Sequence, residues 1–330
     1  MNADRKVMMR AIAATGVACA LLLTRPGYSH AQTFPNKPVR WIVAFGAGGP
    51  GDELARVIAP ALSELWKQQV IIDNRPGANT IVGTELAARA APDGYTMVMI
   101  SSGFTINTTL YPKLPYDPLR DLVAVTPFAF GPAMLVVHPS VPVRDLKELI
   151  AFAKERPDAL SYESGGNGAF SHLAVELIKA MSGAAITHVP YRSMPQGLTG
   201  VIGGEAQLIV PTIPAALPHV KAGRLRGLGV TSARRSSASP ETPTIAEAGL
   251  PGYEADNWYA VLVPAGTHRA IVEKLNADLR SRIELRDVKE RMLRLGMDAR
   301  GMGSQDFAAY VRSETVKWAK VVKASGAKAE

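Results

Sequence analysis

Val39 to Arg56 reads VRWIVAFGAGGPGDELAR, and this stretch decides the fold class. Val39 to Phe45 is a β-branched and aromatic run, which favours a strand. It ends in Gly46-Ala47-Gly48-Gly49-Pro50-Gly51. Beyond these glycines, Leu54, Val57, Ile58, Ala61, Leu62 and Leu65 recur at helical spacing. Strand, tight glycine loop and helix therefore follow one another. Pro60 falls inside the helix, where it removes a backbone hydrogen bond, so a kink or an early break is expected there.

Outward from this unit the alternation continues. Val70 to Asp73 and Tyr95 to Ser101 read as strands around a helix-like Thr80 to Ala91, and Leu122 to Phe128 and Met134 to His138 are strand-like. Helical Leu146 to Lys154 and a short strand, Leu160 to Glu163, lead to Gly165-Gly166-Asn167-Gly168 and an amphipathic helix from Phe170 to Met181. A strand again feeds a glycine loop and a helix. After Val201 to Val210 and the strand Leu225 to Thr231, the proline-rich Pro240 to Pro251 reads as surface loop with one short helical turn, near a domain boundary. Arg269 to Val322 is helix-rich and expected to pack. This is βαβ logic, predicting an α/β protein with mostly parallel sheet.

Composition narrows the function classes. The 330 residues suit about two domains and carry 37 basic and 29 acidic residues, with no block of like charge and only 6% aromatics. Nucleic-acid binding is disfavoured. One cysteine, Cys19, excludes a disulfide framework or a cysteine-ligated metal within the chain. Arg5, Lys6 and Arg10 precede an apolar run from Ala11 to Thr24, and Ser29 and Ala31 stand at −3 and −1 of a cleavage site before Gln32. Residues 1–31 thus read as a secretory signal. Gly16 and the continuing Leu21 to Leu23 argue against lipidation at Cys19. No later segment stays apolar for the ~18 residues that a membrane span requires.

Gly46, Gly48 and Gly51 also satisfy G-x-G-x-x-G, with Asp73 at the end of the next strand as a ribose-binding acid. Export, the stiff Pro50 and the negative Asp52 count against a dinucleotide. The simpler reading is a tight turn with Asp52 as the helix N-cap. A functional reading takes both glycine loops together. Helix N-termini at Gly49 to Asp52 and at Gly168 to His172 offer free backbone N–H groups and a positive dipole end, which suit a carboxylate ligand. Asp52 would then meet a ligand hydroxyl, amine or bridging water. Among His138, His172, His188, His219 and His268 there is no i, i+4 metal spacing, and no serine sits in G-x-S-x-G. His172 is either a general base or a structural hydrogen-bonding residue, and the latter is preferred. Arg192 reads as a solvated loop cation in preference to a guard of the pocket.

The segments FGAGGPGDELAR (45–56), DNRPGA (73–78), PDGYT (92–96), LYPKLPYD (110–117), HVPYR (188–192), KAGRLR (221–226) and PTIAEAG (243–249) occur in the order found in one family. The chain resembles the Bug-type receptors of tripartite tricarboxylate transporters over roughly Phe34 to Lys323. The resemblance implies a two-domain, Venus-flytrap periplasmic binding protein. Domain 1 would comprise 32–127 and 256–330 and domain 2 would comprise 128–255, with a hinge near Phe128 and Asp256. It further implies a small carboxylate solute, membrane transporter components as partners, a periplasmic monomer, no cofactor, no metal and no catalysis. The family's ligand loops fall on Phe45 to Asp52 and Gly165 to His172. The ligand contacts are accordingly assigned to Phe45, Gly48, Gly49, Asp52, Ser102, Asn107, Gly166, Asn167, Gly168, Ala169, Phe170 and His172. Gly46 stands where the family often has proline, Ala169 where a hydroxyl is common, and Ser193 where glycine is usual, which leaves the particular acid open. Alternatives are a periplasmic sensor for a membrane signalling partner and an NAD-dependent oxidoreductase.

Overall fold

A computed structural model describes residues 34–191 and 193–328. The expected leader, its cleavage site and Cys19 lie outside the described residues, as does Arg192. From Lys37 the chain forms one unit. Its strands and helices alternate in the first half: β1 (Val39–Val43), α1 (Pro50–Trp66), β2 (Val70–Asn74), α2 (Ile81–Ala88), β3 (Thr96–Ser101), α3 (Gly103–Leu110) and β4 (Leu122–Gly131). There follow β5 (Met134–Val137), α4 (Leu146–Glu155), β6 (Ser161–Ser164), α5 (Phe170–Ser182), β7 (Thr187–Pro190), α6 (Met194–Gly203), β8 (Leu208–Ile209), α7 (Ile213–Lys221) and β9 (Arg226–Val230). The chain ends with β10 (Asn257–Pro264), α8 (Arg269–Ile283), α9 (Arg286–Arg294), β11 (Asp298–Ala299) and α10 (Ser304–Ser325).

Two sheets result, one of six strands in the order β11-β4-β10-β3-β1-β2 and one of five in the order β7-β6-β8-β5-β9. β1 lies parallel to β2 and β3, and β6 parallel to β7 and β8, as βαβ crossovers require. The expectation of mostly parallel sheet is corrected to mixed sheet. β10 runs antiparallel to β3 and β4, and β5 antiparallel to β8 and β9. The antiparallel strands β4, β5, β9 and β10 flank the places where the chain passes from one sheet to the other. β4 stays in the first sheet to Gly131, and the second sheet begins at Met134. The return runs through 231–256. The two passages are bonded to each other: Thr231 N donates to Ala133 O, the Thr231 hydroxyl accepts from Ala133 N, and Ala255 N donates to Thr231 O.

The break expected at Pro60 does not occur; α1 runs unbroken to Trp66. Leu54, Ile58 and Leu62 are fully buried on one face, and that burial outweighs one lost backbone bond on the exposed side where Pro60 sits. In the stretch 240–251 a turn closes through Ala248 N to Thr244 O, but Ile245 is fully buried rather than superficial.

The first core gathers Ile42, Val98, Ile100, Phe104, Trp258 and Leu262 with Phe307 and Val311 of α10. The second gathers Leu135, Val137, Tyr162, Leu173 and Ile178 together with Ile106 and Leu110 of α3 and Trp318, Val321 and Val322 of α10. At 22 residues, α10 is about 33 Å long. It therefore roots in one core and ends in the other. Among the described residues no helix is long and apolar enough to cross a membrane.

Candidate ligand-binding site

The loops that follow β1, β2, β3 and β6 all leave the carboxyl ends of parallel strands, where ligands bind in open α/β sheets. The first connects β1 to α1. Gly49, not Asp52, is the N-cap of α1, with Pro50 in the first turn, as its fixed φ favours. Asp52 lies deeper, 2% exposed, and reaches back into the loop. One of its carboxylate oxygens accepts from Gly48 N at 2.8 Å and Arg56 Nε at 2.9 Å, the other from Asn74 Nδ2 at 2.9 Å. The Arg56 guanidinium, helped by Gly48 and Asn74, pulls the carboxyl down to about 2 against the opposing effect of burial. The expected N-cap role of Asp52 is corrected: its oxygens hold the loop together, accepting from Gly48, Arg56 and Asn74.

Some of the amides expected to be free, among them those of Gly49 and Gly168, are paired. Gly48 N is held by Asp52, and Gly49 N donates to Gly46 O at 3.1 Å. In the loop between β6 and α5, Gly165 N donates to Ser171 Oγ, Gly166 N to Ser164 Oγ, Gly168 N to His172 Nδ1 at 3.0 Å and Ala169 N to Gly166 O. In both loops a side chain three residues past the N-cap satisfies an N–H just before it, as a capping box does. The dinucleotide reading fails on the same geometry, since a pyrophosphate would meet the Asp52 carboxylate. Asp73 is instead engaged by Arg40 at 2.5 Å and Arg75 at 2.8 Å.

His172 is 3% exposed and stacks on His188 with ring centroids 4.0 Å apart. Burial, and then the neighbouring His188, push it down to about 4, so the ring is neutral and its Nδ1 accepts from Gly168. His188 in turn contacts Ser164 Oγ at 2.7 Å, and Tyr162 stacks on it at 4.8 Å while donating to Glu176. This hydrogen bonding is the structural role preferred for His172.

A cavity of about 300 Å³ opens where the chain passes between the sheets. Gly131 and Ala133 supply one wall, Gly165, Ala169, Phe170 and Ser171 another, and Met194, Val210, Thr212, Asn257 and Met297 complete it. Of the twelve assigned contacts, Ala169 and Phe170 line this cavity. Ser102 lies behind the lining, where its hydroxyl donates to Asn257 Oδ1 at 2.9 Å. Phe45 packs edge-on against Tyr259, 5.6 Å between centroids, two residues along β10 from Asn257. Gly48, Gly49, Gly166, Asn167 and Gly168 shape the two loops without lining the cavity. Asn107 is fully buried and exchanges two hydrogen bonds with Asn79, so it supports the segment around that residue.

What Asn107 supports is strained. Gly77, Ala78, Asn79 and Thr80 have φ of 137°, 44°, 49° and 76°, a left-handed run that costs of order 1–2 kcal/mol at each non-glycine residue. Its only signal in the sequence is the Pro76-Gly77 turn pair. Asn257, Thr212, Met194 and Met297 carried no local signal; tertiary structure alone brings them together.

A family model described as the tripartite tricarboxylate transporter family receptor matches residues 54–327. Over 308 residues the chain is 37% identical to the "UPF0065 protein in tcbD-tcbE intergenic region" of Pseudomonas sp., covering 93% of this chain and 92% of that one. Among solved structures, R. palustris Rpa4515 with adipate matches at 36% identity and TM-score 0.72, covering 89% of this chain and 99% of that one. The periplasmic binding protein BugD matches at 28% identity and TM-score 0.69, covering 89% and 99% respectively. The two-sheet α/β architecture is that of periplasmic binding proteins.

Proposed function

The chain belongs to the tripartite tricarboxylate transporter receptor family, and from that premise we propose that it is an extracytoplasmic solute receptor. It captures a small carboxylate in the cavity between the sheets and presents it to the membrane components of a transporter. The observation that carries this reading is the cavity itself, walled by the second glycine loop and by Asn257 at the crossing between sheets. Its volume, about 300 Å³, suits a small metabolite. The adipate held by the R. palustris relative supports a carboxylate. Binding rather than catalysis is favoured because the titratable groups of the two loops, Asp52 and His172, are committed to holding backbone N–H groups. The hinge expected near Phe128 and Asp256 would then involve the two passages between sheets, which run through Pro132 and 231–256. The leader read from residues 1–31 supports export to the periplasm, and a cavity built within one chain is compatible with monomeric action.

Thermal unfolding of the mature chain with and without adipate and a panel of small carboxylates tests this. A ligand present at a hundred times its Kd adds about 2.7 kcal/mol of stability. That raises the melting temperature by a few degrees for a protein of this size. No response to any acid of the panel at millimolar concentration overturns the proposal.

A further inference from the structure

Resting on that reading, we propose that the acid taken by this cavity has a plain hydrocarbon body, aliphatic or aromatic, bearing no hydroxyl or amino group. The wall is built mainly from Phe170, Met194, Met297, Val210 and two alanines. Thioethers and an aromatic ring make a soft, polarisable surface that fits hydrocarbon of varied shape. The three polar side chains of the lining, Ser171, Thr212 and Asn257, decide the rest. Ser171 Oγ already accepts from Gly165 N, so its hydroxyl hydrogen remains to donate. Asn257 Oδ1 already accepts from Ser102 Oγ and its NH₂ also faces the Tyr259 hydroxyl, so one of its two amide hydrogens remains to donate. Thr212 adds a second hydroxyl, the third donor group of the lining. The cavity thus offers donors, which match a carboxylate, while its side-chain acceptors are largely spent. No carboxylate side chain lines it among the described residues. A hydroxyl or ammonium on the body of the ligand would lose its water and find few unspent side-chain acceptors there, the Thr212 hydroxyl chief among them.

A matched series isolates the effect. Succinate, malate and aspartate differ by one hydrogen, hydroxyl or ammonium, and hexanoate and benzoate supply longer hydrocarbon bodies. Calorimetric titration of the mature chain is expected to rank succinate about tenfold to a hundredfold above malate, with aspartate weaker still. That ratio corresponds to about 1.4–2.8 kcal/mol. Hexanoate or benzoate should bind at least as well as succinate. Malate or aspartate binding as tightly as succinate overturns the inference and leaves the receptor reading standing. Silence from every acid overturns both. Met194→Gln places an amide on the wall at the first, half-buried residue of α6, where folding is retained; it should weaken hexanoate and narrow the gap between succinate and malate. An unchanged gap in a folded Met194→Gln protein removes Met194 from the surface that selects the ligand and also counts against the inference.

Discussion

Gly168 in the second glycine loop and Leu110 at the end of α3 meet so closely that their coupling is measurable. Gly168 has φ of +72°, and a Cβ placed on it would lie 2.6 Å from Leu110 Cδ2 and 3.1 Å from Cδ1. Gly168→Ala therefore carries two separable costs. The left-handed backbone costs an alanine about 1–2 kcal/mol. Overlap with Leu110, which is 6% exposed and held within a core, adds about 1–3 kcal/mol. Leu110→Ala alone should cost about 2–5 kcal/mol by leaving a cavity. It also removes the atoms that the new Cβ would strike. In the Leu110→Ala background, Gly168→Ala should then cost only the backbone part, leaving a coupling of about 1–3 kcal/mol between the two positions. Urea unfolding of the four proteins followed by circular dichroism, with unchanged m-values, gives the number. If Gly168→Ala costs the same with leucine or alanine at 110, the glycine loop is not seated on α3 and the account of the loop is wrong.

Two further outcomes follow from the loop anchors. His172 is held down to about 4 from an ordinary value near 6.5, so the unfolded chain takes up its proton first. The stability it contributes is complete above pH 6.5 and lost as pH falls towards 4, up to about 3 kcal/mol over that window. His172→Gln keeps an acceptor for Gly168 N and should flatten the pH dependence of the melting temperature between 6.5 and 4.5; an equally steep profile would exclude His172 as its source. Asp52→Ala strips acceptors from Gly48, Asn74 and Arg56 and should cost about 2–4 kcal/mol in chemical denaturation, with Asp52→Asn costing less. A loss under about 0.5 kcal/mol for the alanine variant would show that the loop holds itself.

The two strand–glycine–helix units were readable because their signals are local: β-branched runs, clustered glycines and helical spacing around Leu54 and Leu173. Sheet direction was less so, since the antiparallel pairing of β10 with β3 and β4 depends on where a distant strand returns. The glycine loops were located correctly, but the pairing of Gly49 N and Gly168 N within them was not legible. Spacing shows that Asp52 and His172 occupy a first helical turn without showing that each turns back on its own loop. Asn257 lies 155 residues from the Ser102 that orients it, and no local pattern connects them. Arginine-proline-glycine at 75–77 announces a turn, whereas the left-handed conformation of Ala78, Asn79 and Thr80 is imposed by packing against Asn107.

The long C-terminal helix has a consequence for how the protein comes apart. Phe307 and Val311 belong to the first core and Trp318, Val321 and Val322 to the second, so one rod of backbone is ballast in both. Melting either core alone would strip apolar partners from the other and fray the helix between them. The two cores are thereby made cooperative: heat or denaturant should remove them in one transition, despite two sheets joined by only two strands of chain.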